Sequence, residues 1–119
     1  MPVVFEKRGP IGLVTLSRPK SRNAWGADFN EGLAKYFLAM EDDDEIRCVI
    51  LTGDEAGGAF SAGADLKDPK THTMASAADF IKSLPKRRDR AFEVLGNFPK
   101  PIVGAVNGYA VGIGCIVTF

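Results

Sequence analysis

Reactive side chains are scarce in this sequence: one histidine, two cysteines and one tryptophan in 119 residues. Cys48 and Cys115 sit in apolar surroundings without the paired spacing of a zinc or redox motif. Each therefore reads as a small core residue, in keeping with a reducing compartment. His72 lies in the polar stretch Lys67–Thr73 with no orienting partner nearby in the sequence, which reads as a solvated loop position rather than a catalytic one. Net charge is also missing, since 15 Lys and Arg balance 15 Asp and Glu. No bulk attraction to nucleic acid or an anionic membrane follows, and any phosphate contact must be local. No apolar run reaches membrane-spanning length and the first residues hold no apolar signal region, so a cytoplasmic protein is expected.

What remains is the composition of one soluble domain with a core, 45% hydrophobic and 25% charged. No repeat or linker divides it, so residues 1–119 are expected to form part of one domain with no second domain. Val3–Lys7 and Ile11–Ser17 are β-rich runs around Arg8-Gly-Pro10 and predict an opening hairpin. Arg18–Ala24 is polar, contains Pro19 and predicts a surface loop of the kind that carries binding groups. From Asp28, a plausible N-cap, Phe29, Leu33, Phe37 and Met40 recur at helical spacing. The acidic run Glu41–Glu45 reads as a solvated connection, because adjacent carboxylates in a flexible run lack the geometry of a metal site.

Cys48–Thr52 predicts a strand buried on both faces. Gly53–Leu66, rich in glycine and alanine, is either a backbone that a bulky ligand can approach or an ordinary flexible connection. Ala75–Leu95 has helical composition interrupted by Pro85, and its basic cluster Lys86–Arg90 reads as an exposed helix face. The stretch Lys100–Cys115 combines an apolar run, read as a buried strand over Ile102–Val106, with four glycines. Residues 115–119 read as the first turn of another helix. Strands alternating with helices predict α/β architecture with crossover helices between parallel strands.

Two glycine-rich turns, each after a strand, could aim backbone N–H groups at one ligand oxygen and form an oxyanion hole. A dinucleotide site is the direct rival at Gly112-Ile-Gly114, but Val117 stands where the third glycine of that fingerprint belongs. A phosphate-binding P-loop is weaker still, for no Gly-Lys-Ser/Thr follows either turn.

Four blocks in order, Ser17–Ala24 (SRPKSRNA), Val49–Gly53 (VILTG), Ala59–Leu66 (AFSAGADL) and Lys100–Cys115 (KPIVGAVNGYAVGIGC), resemble the crotonase, or enoyl-CoA hydratase/isomerase, superfamily. The resemblance implies an α/β ββα spiral, of which this chain would be an N-terminal, truncated portion, and an acyl-CoA or enoyl-CoA thioester as ligand. It further implies that the backbone N–H groups of Ala64 and Ile113 bind the thioester oxygen as it becomes an enolate. Lys20, Ala24, Ala62, Asp65, Leu66, Lys67 and Gly112 fall at positions implied to contact substrate or coenzyme A, and Trp25 covers the ligand or belongs to the core. No metal and no cofactor beyond coenzyme A within the substrate are expected, and a full-length chain would form a homotrimer or hexamer.

Family hydratases carry a glutamate where this chain has Ile116. Isoleucine can neither take a proton nor orient water, which favours isomerase-like chemistry over hydration. A non-catalytic acyl-CoA-binding or assembly module, or an inactive truncated fragment, is the alternative.

Overall fold

The computed structural model describes residues 2–63 and 90–118. The chain opens with a hairpin of β1 (Val3–Arg8) and β2 (Ile11–Leu16), paired antiparallel with Val3 opposite Leu16 and Arg8 opposite Ile11. Gly9, at φ +57°, makes the turn that the Gly-Pro pair predicts. Helix α1 (Ala27–Glu41) leads to β3 (Cys48–Gly53), which runs parallel to β2. Helix α2 (Arg90–Gly96) precedes β5 (Ile102–Ala105), parallel to β3, so the main sheet has the order β1-β2-β3-β5. The short strands β4 (Ala59–Ser61) and β6 (Tyr109–Ala110) pair parallel in a second small sheet, and α3 (Ile113–Ile116) follows. The alternation read from sequence is therefore the architecture, an α/β fold with parallel crossovers.

One face of the sheet packs on α1. Val3, Val14, Leu16, Val49 and Leu51 meet Phe29, Leu33, Phe37 and Met40, and all are buried. The apolar stripe foreseen on α1 is thus the core, each such side chain contributing about 1.5–3 kcal/mol by leaving water. Phe37 meets Phe98 edge-on at 5.0 Å, and Phe5 stacks on Tyr36 at 5.5 Å. Lys100, just before β5, donates from Nζ to the carbonyls of Met40 (2.5 Å) and Asp43 (2.6 Å). A cation there suits the negative end of the α1 dipole, and its bonds add to those that the Met40 and Asp43 carbonyls accept from the Asp43 and Ile46 N–H groups.

Several local expectations are corrected. Gly26, not Asp28, caps α1, and Asp28 sits in the first turn, where its charge still suits the helix dipole. Strand β3 alternates buried and half-buried residues rather than being buried on both faces, because α1 covers only one side. Strand β5 ends at Ala105 and is exposed along its length, with Val103 51% accessible. It lies at the end of the sheet and pairs with β3 alone among the described residues. Both cysteines are half-buried. The predictions for His72 and Pro85 fall outside the described residues, as does the cluster Lys86–Arg90 apart from Arg90, the first residue of α2.

The acidic run is more than a solvated connection. Lys7 Nζ bonds Asp43 at 3.0 Å and Glu45 at 2.7 Å. The bond to Glu45, then that to Asp43, raises the Lys7 pKa above its ordinary value, and the bond from Lys7 lowers that of Asp43. The Asp43 contribution to stability is present above its ordinary value of 3.8 and is lost as pH falls through the lowered one. That of Lys7 is present below 10.5 and is lost as pH rises through the raised value. In the variant Lys7→Met, the NMR titration midpoint of the Asp43 carboxyl therefore moves upward, and added salt narrows the difference from the unmodified chain.

Candidate active site

After β2 the chain enters a single 3-10 turn, Pro19–Ser21, and then places Arg22 and Asn23 at φ +53° and +55°. Asparagine is among the few residues that tolerate this left-handed region. Its amide is fully buried and fully used. Oδ1 accepts from the Arg18 N–H at 2.8 Å, and Nδ2 donates to the carbonyls of Ala59 (2.8 Å) and Asp54 (3.3 Å). The Asn23 carbonyl in turn accepts from the buried Ser61 hydroxyl at 2.8 Å.

Backbone bonds extend this seam. The Ala62 N–H donates to Arg22 at 3.0 Å, and the Trp25 N–H donates to Gly63 at 2.6 Å. The polar loop after β2 and the end of β4 are therefore held together residue by residue, and the glycine-alanine segment is not an ordinary flexible connection over Ala59–Gly63.

The second glycine turn is fixed to the same strand. The Val111 N–H donates to Ser61 at 3.0 Å, and the Gly114 N–H closes the turn onto Val111 at 2.9 Å. A Cβ at Gly114 would lie 2.6 Å from the Ser61 carbonyl oxygen, and one at Gly63, at φ +93°, would lie 2.9 Å from that of Val111. Only glycine lets the two turns approach so closely. Ile113 opens α3, and the first N–H groups of a helix have no partner inside it. Three chain segments thus meet along β4.

The sequence model described as "Enoyl-CoA hydratase/isomerase" matches residues 6–119. The chain belongs to the enoyl-CoA hydratase/isomerase family. It is 39% identical over 110 residues to a probable mitochondrial enoyl-CoA hydratase of Dictyostelium discoideum, covering 92% of this chain and 37% of the relative. It is 38% identical over 101 residues to the 1,2-epoxyphenylacetyl-CoA isomerase of Escherichia coli, covering 85% and 38%. Among solved structures, an enoyl-CoA hydratase/carnithine racemase from Magnetospirillum magneticum superposes with a TM-score of 0.81 at 32% identity, over 96% of this chain and 42% of that one. The fold is crotonase-like, and the chain spans about two fifths of the length of the relatives it matches.

Within this family member the residues singled out from sequence divide in two. Lys20 and Ala62 are exposed, Ala24 is buried, and the seam brings all three into one neighbourhood. Gly112 (φ +55°, exposed) and the start of α3 at Ile113 border the same strand. Ala64, Asp65, Leu66 and Lys67 lie outside the described residues. Trp25 belongs to the core. It is buried, meets Phe29 edge-on at 5.6 Å and donates from Nε1 to Asn30 at 2.8 Å.

Sequence reasoning passed over Asn23, Ser61 and Asn107. Asn107 pairs with both backbone groups of Gly53, donating at 2.7 Å and accepting at 3.4 Å, and so continues the β3–β5 ladder beyond β5. The one signal for Asn23 was an asparagine after a proline-led turn, a residue suited to a left-handed position. No group of three or more His, Cys, Asp or Glu among the described residues is arranged to hold a metal, and no described helix is long and apolar enough to cross a membrane.

Proposed function

We propose that this chain forms the thioester-binding portion of an acyl-CoA enzyme, with the backbone N–H groups of Ala64 and Ile113 stabilising an enolate. The bond from Val111 to Ser61 carries the reading, because it ties the turn that opens α3 to the strand that leads toward Ala64. Family membership supports it, as do relatives named as a short-chain-enoyl-CoA hydratase and a 1,2-epoxyphenylacetyl-CoA isomerase. Lys20 and Lys67 offer point charges to the coenzyme A phosphates. Ala24, Ala62, Asp65, Leu66 and Gly112 complete the contact surface, and no cofactor beyond coenzyme A takes part.

Chemically, the oxygen of a thioester gains negative charge when a base takes a proton from the carbon beside the carbonyl. Fixed N–H dipoles aimed at that oxygen need little reorganisation, and one such donor is worth about 3 kcal/mol. Ile116, in place of a carboxylate, favours proton transfer between carbons over hydration. The same residue also supports a second reading, binding without turnover.

Acetoacetyl-CoA tests both readings, because its enolate absorbs in the near ultraviolet. Mixed with the chain, it is expected to bind in calorimetry and to show an enhanced enolate band. Absence of binding refutes the thioester reading. Binding with the band, but without conversion of an enoyl-CoA, favours the second reading over the first.

A further inference from the structure

We propose that Asn23 is a positioning residue that sets the spacing between the loop offered to coenzyme A and the strand leading into the first oxyanion donor. The proposal rests on the thioester reading for its functional meaning, although the clamp itself is a matter of geometry.

Asn23 is 0% exposed, sits at φ +55° and joins three pieces of chain through one side chain. Its oxygen holds the start of its own loop at Arg18, while its nitrogen holds β4 at Ala59 and the turn before β4 at Asp54. The Ser61 hydroxyl closes the set from the other side. An amide alone fits this arrangement, since one end must accept an N–H and the other must donate to two carbonyls. Aspartate would turn a second oxygen toward the Ala59 and Asp54 carbonyls and bury a charge there. Alanine would leave the Ala59 carbonyl and the Arg18 N–H without these bonds.

The consequence travels two residues along the seam. Arg22, just before Asn23, receives the Ala62 N–H, and Trp25, two residues after it, donates to Gly63. Residue 64 is next. Loosening Asn23 therefore releases the loop with Lys20 and Ala24 from the segment that carries the first donor, while the middle of α1 around Phe37 keeps its packing.

Hydrogen exchange on Asn23→Asp reads the clamp directly. Protection of the Ala62 and Trp25 amides is expected to fall about tenfold or more relative to wild type, while the Phe37 amide in mid-α1 keeps its value. Equal loss at all three amides, or loss at none, overturns the proposal. Should Asn23→Asp fail to fold, Ser61→Ala removes one bond of the set and is expected to give the same ordering with a smaller drop.

Acetoacetyl-CoA supplies the functional readout. The variants are expected to show less enolate per bound ligand, whereas a purely structural role would lower the melting temperature and leave that ratio at the wild-type value. Failure of wild type to bind the thioester would refute the thioester reading and remove the functional part of the proposal, and the exchange pattern would still decide the clamp.

Discussion

Substituting Gly114 by alanine is expected to abolish the enolate band of bound acetoacetyl-CoA, a loss of about a hundredfold or more in enolate stabilisation. The added Cβ would stand 2.6 Å from the Ser61 carbonyl oxygen and 2.7 Å from the Ser61 Cβ, both parts of a buried strand that cannot turn aside. The start of α3 must then back away from β4, and the Ile113 N–H moves with it. Gly112→Ala makes the contrast. Gly112 has the left-handed backbone, φ +55°, yet a Cβ there meets nothing within 4 Å. Its cost is conformational, about 1–2 kcal/mol, without a collision that separates the two turns. Near-ultraviolet titration of both variants checks the order, and a larger loss for Gly112→Ala than for Gly114→Ala would show that the approach of α3 to β4 is not what holds the enolate.

Phe37→Ala is expected to be strongly destabilising. The ring is fully buried among the residues that join α1 to the sheet, and it meets Phe98 edge-on at an interplanar angle of 75°. Removing such a side chain costs about 3–5 kcal/mol, against a total of about 5–15 kcal/mol for an ordinary domain. Its neighbour Leu38 is 38% exposed and outside the core cluster, so Leu38→Ala should stay within roughly 0.5 kcal/mol. Denaturant midpoints for the two variants measure this difference, and comparable shifts would contradict the placement of the core.

The parts of the fold that follow from repetition were legible in advance. Phe29, Leu33, Phe37 and Met40 announce a buried helix face by spacing alone, and Gly9-Pro10 between two β-rich runs announces a hairpin. The strands β4 and β6 were not legible, since runs of three and two residues carry no period. Asn23 escaped for a different reason. Its partner Ala59 lies 36 positions away, and nothing local distinguishes an asparagine that clamps two segments from one that merely turns a loop. The apolar run at Ile102–Ala105 correctly announced a strand but wrongly announced burial. Composition says what a strand would prefer to cover, and its place at the sheet end decides how much is covered. For the site, the glycines and the four family blocks located the turn at Ile113. The closeness of that turn to the loop after β2 came only from the bonds to Ser61, Ala62 and Gly63.

The strand order also dictates a sequence of events in time. Among the described residues, only the β1–β2 hairpin pairs strands joined by a tight turn. The other ladders of the main sheet bring Ile11 to Cys48 and Val49 to Ile102, and distant pairings of this kind close late because long loops must be ordered before any contact rewards them. Residues 101–119 contain no charged side chain. Until it reaches its place beside β3 this stretch is uncharged and unpaired, and charges are what ordinarily keep such strands from pairing with other molecules. Refolding yield should accordingly fall as protein concentration rises, with the nascent β5 as the segment through which chains capture one another.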